Sequence, residues 1–141
     1  MSDPYDLARF VEAQDRGGTY ETAARELRSG RKQSHWMWFV FPQIHGLGHS
    51  ALAVEYAIGS RDEAVAYLAH DVLGPRLHRC ARLVVASGAV SAKALMGSPD
   101  DLKLKSSMTL FAEVADDDGD FAAVLERYYG GERDQATIGK L

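Results

Sequence analysis

The sequence predicts an all-α fold, a single domain over residues 1–141 built from about seven or eight short helices. Three observations predict it. Apolar residues recur at helical spacing in one segment after another. No stretch alternates apolar and polar residues as a half-buried strand does. Capping residues and glycines bracket the periodic segments. A chain of 141 residues makes one ordinary domain and buries roughly 70% of the surface its unfolded form exposes. A core of that size needs neither disulfide nor metal.

Asp3-Pro4 reads as an N-cap with proline at the first helical position, where its missing N–H costs nothing. Leu7, Phe10 and Val11 then line one face to about Arg16, and Gly17-Gly18 ends the helix. Thr19 caps a second helix through Leu27, which stops at Gly30. His35 to Phe41 is almost wholly apolar and aromatic with Pro42 behind it. Seven such residues carry no usable period, and a short helix capped by Ser34 is expected. Gly46 and Gly48 mark a loop, and Ser50 opens a helix to about Ile58. Ser60 caps a helix carrying Ala64, Tyr67 and Leu68. From about Asp71 to Ala86, Leu73, Leu77, Cys80 and Val84 form a core stripe closed by Gly88. Ser91 starts a short turn ending at Gly97, and Ser98-Pro99 repeats the cap-plus-proline start for a helix reaching about Ala115. Phe121, Val124, Leu125 and Tyr128 stripe the next helix, closed by Gly130-Gly131, and Asp134 caps a last turn to Leu141.

The 16 basic and 20 acidic residues leave a net charge of -4. Duplex nucleic acid is held by neutralising phosphates, so no nucleic-acid partner is expected and any anion site must be local. The local basic groups are Arg28, Arg31 and Lys32, then Arg76, Arg79 and Arg82, then Lys103 and Lys105. The acidic run Asp116, Asp117, Asp118 and Asp120 reads as a solvated loop. One cysteine, Cys80, excludes an intrachain disulfide and fits a reducing compartment; on its stripe it reads as packing. No N-terminal apolar stretch reads as a signal peptide, and no apolar run approaches spanning length. A cytoplasmic protein with no membrane partner is the expectation. Composition does not set the oligomeric state.

The informative residues are polar ones at apolar positions. On the helix from Ser98, Lys103 and Ser107 lie one turn apart inside the arc of Leu104, Leu110, Met108, Phe111 and Val114. A serine there bonds a backbone carbonyl. A lysine either snorkels over the core edge or points into a pocket. Gln14 falls on the stripe of Leu7 and Phe10, either as a core amide bonded to backbone or as a pocket-lining one. Arg76 borders the Leu73–Leu77 stripe, either as a surface ion pair or as an anion-binding fork.

The densest motif is Lys32-Gln33-Ser34-His35-Trp36-Met37-Trp38-Phe39-Val40-Phe41-Pro42-Gln43, which holds both tryptophans, followed by Gly46-Leu47-Gly48-His49-Ser50. Its aromatics are either buried or form a patch that takes a ligand or partner. The glycine loop running into a helix can present backbone N–H groups to an anion. This motif resembles the hallmark of a bacterial and fungal family numbered 1810 among domains of unknown function. The similarity extends to Asp3-Pro4-Tyr5, Phe10 and Ala13-Gln14, to Tyr67–His70 and Leu73–Leu77, to Asp101, Lys103-Leu104 and Ser106–Phe111, and to Tyr128, Gly130, Asp134 and Thr137. Asp71 departs from it, where proline is common. The resemblance implies a compact helical domain, no established activity, and membership of family-like motifs for Gln14, Arg76, Lys103 and Ser107.

His45 and His49 are separated by glycines, and no cysteine or carboxylate completes a ligand set, so no metal or cofactor is expected. The functional expectation is a pocket for a small phosphorylated or nucleotide-like anion, with its hydrolysis as a further step. Lys32, Arg76 and Lys103 would bind the anion. Trp36 or Trp38 would stack on it, Gln14 and Gln43 would orient it, and Ser34, Gly46, Gly48 and Ser50 would line the site. His35 would be the acid–base group with Ser107 as partner. The alternative is a non-catalytic sensor or protein-interaction module.

Overall fold

The computed structural model describes residues 2–141 and is helical through most of its length. Its helices are α1 (Ala8–Asp15), α2 (Thr19–Ser29), α3 (Met37–Val40), α4 (Ala51–Glu55), α5 (Arg61–Ala69), α6 (Leu73–Ala86), α7 (Ala92–Met96), α8 (Asp100–Val114), α9 (Gly119–Tyr129) and α10 (Gln135–Ile138). Among the described residues the β pairing is one isolated parallel bridge, Ile44 with Ile58.

Helix α8 is the hub. Its buried residues run from Ser106 to Ala112 without a break, in addition to Leu104, and a helix buried all round over two turns lies at the centre of the domain. It packs against α5, α7, α9 and α10. Helix α6, with its one buried stripe through Leu73, Leu77, Cys80 and Val84, is joined to α8 through α5 and α9, and carries α2 on its other side. Helix α1 lies on α2 and holds α3. Phe10, Tyr67, Phe111 and Phe121 form an aromatic chain through the middle, with ring centroids 5.2 Å apart for Phe10–Tyr67 and Tyr67–Phe111 and 6.0 Å for Phe111–Phe121. Cys80 is fully buried among them and burial pushes its thiol up to about 12, so it packs as an apolar group.

Serines 50, 60 and 91 cap α4, α5 and α7 by accepting from the N–H groups of Ala53, Glu63 and Ala94. Other ends differ from expectation for local reasons. Asp3 does cap, taking the N–H groups of Leu7 and Ala8 at 2.8 and 3.0 Å, but Asp6 at φ +51° breaks the backbone, so α1 starts only at Ala8. Thr19 is the first residue of α2 rather than its cap, and its hydroxyl donates to the Arg16 carbonyl. Ser34 does not cap α3, which starts at Met37 behind Trp36. Helix α4 stops at Glu55 because Arg9 takes the carbonyls of Glu55 and Ala57 (3.0 and 2.8 Å) while paired to Glu63. The His70 ring takes the N–H groups of Val72 and Leu73, so α6 starts at Leu73 and not at Asp71. Pro99, not Ser98, stands at the cap of α8.

Gly74 lies where α6 meets the end of α5. A Cβ there would stand 2.2 Å from the Leu68 carbonyl oxygen. Both sides of that contact are backbone, so neither can rotate away. Gly74→Ala is expected to lower stability by about 1–3 kcal/mol, read as a drop in urea midpoint with unchanged slope. An unchanged midpoint would contradict this α5–α6 approach.

Candidate functional site

The motif segment leaves α2 at Gly30 and is fixed at once by a buried carboxylate. Glu26, 7% exposed, sits on α2 about 60° around from Ala23 at 100° per residue, at the edge of the buried stripe. Its Oε1 accepts from the Gln33 N–H (2.7 Å), the Ser34 N–H (2.9 Å) and the Trp36 indole Nε1 (2.9 Å), and its Oε2 accepts from the Ser34 hydroxyl (2.6 Å). Burial alone would raise its pKa. The Ser34 hydroxyl, the Gln33 amide, the Trp36 indole and the Ser34 amide outweigh burial and hold the carboxyl down at about 2.

Lys32 completes the clamp from the other sign. Its side chain is 8% exposed, and its Nζ donates to the Ser34 carbonyl (2.6 Å) and pairs with Asp100 Oδ2 (2.9 Å). It also lies 5.0 Å from the Trp36 ring centroid. The Lys32 N–H donates to the Leu95 carbonyl at 2.7 Å. The backbone N–H, hydroxyl and carbonyl of Ser34 are thus all satisfied by two buried charges. Trp36, 1% exposed, is sealed between them and Phe41.

A second cluster fixes the far end of α3. Gln14, fully inside α1's buried face, donates to the Phe39 carbonyl (2.7 Å) and the Tyr67 hydroxyl (3.3 Å) and accepts from Arg76 (3.1 Å). Arg76 also pairs with Asp15 at 2.9 Å and stacks on Tyr20. Burial drives the Tyr67 phenol well above its ordinary range, so it stays neutral and accepts from the Gln14 amide.

The cleft opens on the third side. The Ile58 N–H donates to the Gln43 carbonyl and the His45 N–H to the Ile58 carbonyl, at 2.8 and 2.9 Å. These pins hold the loop Gly46–Ser50 against α4. Gly46 is at φ +86°, and a Cβ on Gly48 would come within 2.8 Å of the Ala53 Cβ. Glycine is required at Gly46 by backbone sign and at Gly48 by close approach. Behind this loop lies a small chamber of about 20 Å³, room for one water, bordered by Trp38, Phe41, Gln43, Gly46, Gly48 and Lys103. Beside it, sharing Gln43, Gly48, Ala53 and Lys103, is a cleft of about 490 Å³ walled also by Leu47, Ser50, Pro99, Leu102, Ser106 and Asp134.

Lys103 stands where chamber and cleft meet. Its Nζ lies 3.6 Å from Asp100 Oδ1 and 5.3 Å from the Trp38 ring centroid. Asp100 therefore serves two lysines, Lys32 and Lys103, with one carboxylate. Three buried side-chain atoms have no partner among the described residues: Trp38 Nε1, Ser107 Oγ and Asp101 Oδ1.

Of the residues expected at the site, Trp38, Gln43, Gly46, Gly48, Ser50 and Lys103 come together around chamber and cleft. Lys32, Ser34 and Trp36 form the clamp behind it. Gln14 and Arg76 form the separate cluster with Asp15 and Tyr67, the bonded-amide and ion-pair alternatives. His35 is exposed, and Ser107 is fully buried without a partner; neither reaches the other through a hydrogen bond. The Ser50 hydroxyl oxygen accepts from the Ala53 N–H, and the five-residue α4 offers no extended helix end to an anion. Glu26, Asp100, Asp134 and Leu102 were not expected. The stripe-edge position of Glu26 was a usable signal; the others needed tertiary placement.

Among the described residues, no three or more His, Cys, Asp or Glu side chains are grouped to hold a metal ion, and no helix is long and apolar enough to cross a membrane. The model of a protein family of unknown function, DUF1810, matches residues 4–141. The chain belongs to that family. No curated protein matches it. Among solved structures it is similar to the conserved hypothetical protein Rv1873 from Mycobacterium tuberculosis, determined by crystallography at 1.38 Å, with 56% identity and a TM-score of 0.95 over 99% of this chain and 98% of that one. As a DUF1810 member the chain shares fold and motifs with proteins whose activity carries no assignment.

Because the Glu26 pKa is depressed in the fold, its stabilisation is fully present above its unfolded value near 4.5 and is lost as pH falls from there towards about 2. Glu26→Gln is expected to cost about 2–3 kcal/mol at neutral pH, since a charged acceptor of four hydrogen bonds becomes a neutral amide. The gap between wild type and variant should close as pH falls through that window. A gap that stays constant with pH would contradict the charged clamp.

Proposed function

We propose that this protein binds a small anion in the cleft between the Gln43–Ser50 loop and α8, as a binding module and not as a hydrolase. The observation that carries the reading is the charge count at Asp100. Lys32 is buried against it at 2.9 Å, while Lys103 is held more loosely at 3.6 Å and faces the cleft. Two ammonium groups on one carboxylate leave one positive charge uncompensated, and a partly desolvated cation seeks an anion. The unpartnered indole N–H of Trp38, which borders the chamber beside the cleft, supports it, since native proteins leave few buried polar groups unsatisfied.

Binding is favoured over hydrolysis by the surroundings of the two acid–base candidates. A serine nucleophile needs a base within hydrogen-bond reach, and the Ser107 hydroxyl has no partner of any kind among the described residues. His35 is exposed at the surface. Gripping a peptide by the aromatic motif is disfavoured too, because Trp36, Met37, Val40 and Phe41 are each at most 2% exposed.

A thermal-shift screen of nucleotides, sugar phosphates and small carboxylates tests the reading. A ligand at 100 times its dissociation constant adds about 2.7 kcal/mol, several degrees for a domain of this size. Lys103→Met is expected to fold and to lose the shift. Arg76→Met should lower the starting midpoint, by loss of the Asp15 and Gln14 contacts, and keep the shift. Equal loss in both variants, or no shift with any anion, would overturn the assignment to this cleft.

A further inference from the structure

We infer that the ligand of this cleft is a monocarboxylate with an apolar body, a medium-length alkanoate or an aryl-alkyl acid, in place of a phosphorylated compound. The inference rests on the anion-binding reading above and narrows it by chemistry.

Charge comes first. The Lys32–Asp100–Lys103 group has a surplus of one positive charge, two ammonium groups less one carboxylate. The same cleft is also lined by Asp134. Its carboxyl is pushed up by burial but held lower overall by the Ser106 and Thr137 hydroxyls, so it remains an anion. A phosphate monoester brings about -1.5 to -2 charges at neutral pH. It would meet one free cation and a standing carboxylate. A carboxylate brings one charge, which Lys103 meets, and sets less negative charge against Asp134 than a phosphate does.

Cation supply points the same way. The Ser106 hydroxyl already donates to Asp134 Oδ2 at 2.7 Å. Among the residues that line the cleft Lys103 is the one lysine and there is no arginine, while Gln43, His49 and Ser50 offer hydrogen-bond donors without a fixed charge. One fixed cation suits the single charge of a carboxylate and leaves part of a phosphate's charge unmatched.

The walls complete the case. Leu47, Ala53, Pro99, Leu102 and Ala136 line the cleft. Leu102 is 62% exposed one residue before Lys103, placing an apolar side chain at the mouth beside the cation. A volume of about 490 Å³ is within the range of small-molecule sites, which pair mostly apolar walls with a few placed polar groups.

The test titrates wild type, Lys103→Met and Leu102→Ser with butyrate, hexanoate, octanoate, octanol, inorganic phosphate and AMP, read by calorimetry and thermal shift. Affinity is expected to rise about fourfold per added CH₂ from butyrate to octanoate. Octanol should bind at least about tenfold more weakly than octanoate, the discrimination expected when a charged donor loses its partner. Lys103→Met should bring octanoate down to the level of octanol, and Leu102→Ser should flatten the chain-length dependence. Lys103-dependent binding of phosphate or AMP without octanoate overturns the ligand class and leaves the anion cleft standing. Octanoate binding that is indifferent to Lys103→Met overturns the inference by placing the ligand elsewhere. No response to any anion removes both the class and the site.

Discussion

Ser34 is held at three atoms by two buried charges of opposite sign, and the geometry around the motif depends on that grip. Glu26 takes its N–H and hydroxyl, while Lys32 takes its carbonyl. A buried charge is costly unless hydrogen bonds replace its water. Here Glu26 collects four donors, and Lys32 collects a carbonyl and Asp100. The clamp reaches through Lys32 to α7 at Leu95 and to α8 at Asp100, and through Trp36 into the core. Two stretches distant in sequence, Glu26 to Trp36 and Leu95 to Asp100, are thereby fixed relative to each other.

The same cluster links stability to binding. Asp100 neutralises the lysine that the fold buries, and so is only partly available to the lysine that faces solvent. Lys103 then lies over the Trp38 ring and borders both chamber and cleft. On the other side of α3, Gln14 donates to the Phe39 carbonyl and Arg76 in turn donates to Gln14. One polar cluster therefore shapes the motif's back, another its far end, and the free face between them is the cleft.

The fold class was legible because it rests on local chemistry: stripes at helical spacing, serine caps at Ser50, Ser60 and Ser91, and glycine stops at Gly30 and Gly130. Helix ends set by distant groups were not legible. Arg9 ends α4 from 46 residues away in sequence, and no propensity encodes that. At the site, the glycine loop, Gln43, Trp38 and Lys103 followed from residue type and spacing. Lys32 and Arg76 share a chemistry with Lys103, and only their partners, Asp100 and Asp15, distinguish a structural cation from an available one. Those partners are tertiary facts. Glu26 was readable in part, as an acid at the margin of an apolar stripe, but its donors come from a loop whose course the sequence pattern does not define.

The most direct measurement is the titration of the Glu26 side-chain carboxyl carbon by NMR. The account predicts that this carbon keeps its ionised shift down to about pH 2, or to the pH at which the chain unfolds if that comes first. A midpoint near 4.5 in the folded protein, the ordinary glutamate range, would contradict it: the carboxylate would then hold nothing, and the placement of Trp36, Lys32 and the cleft behind them would lack its cause.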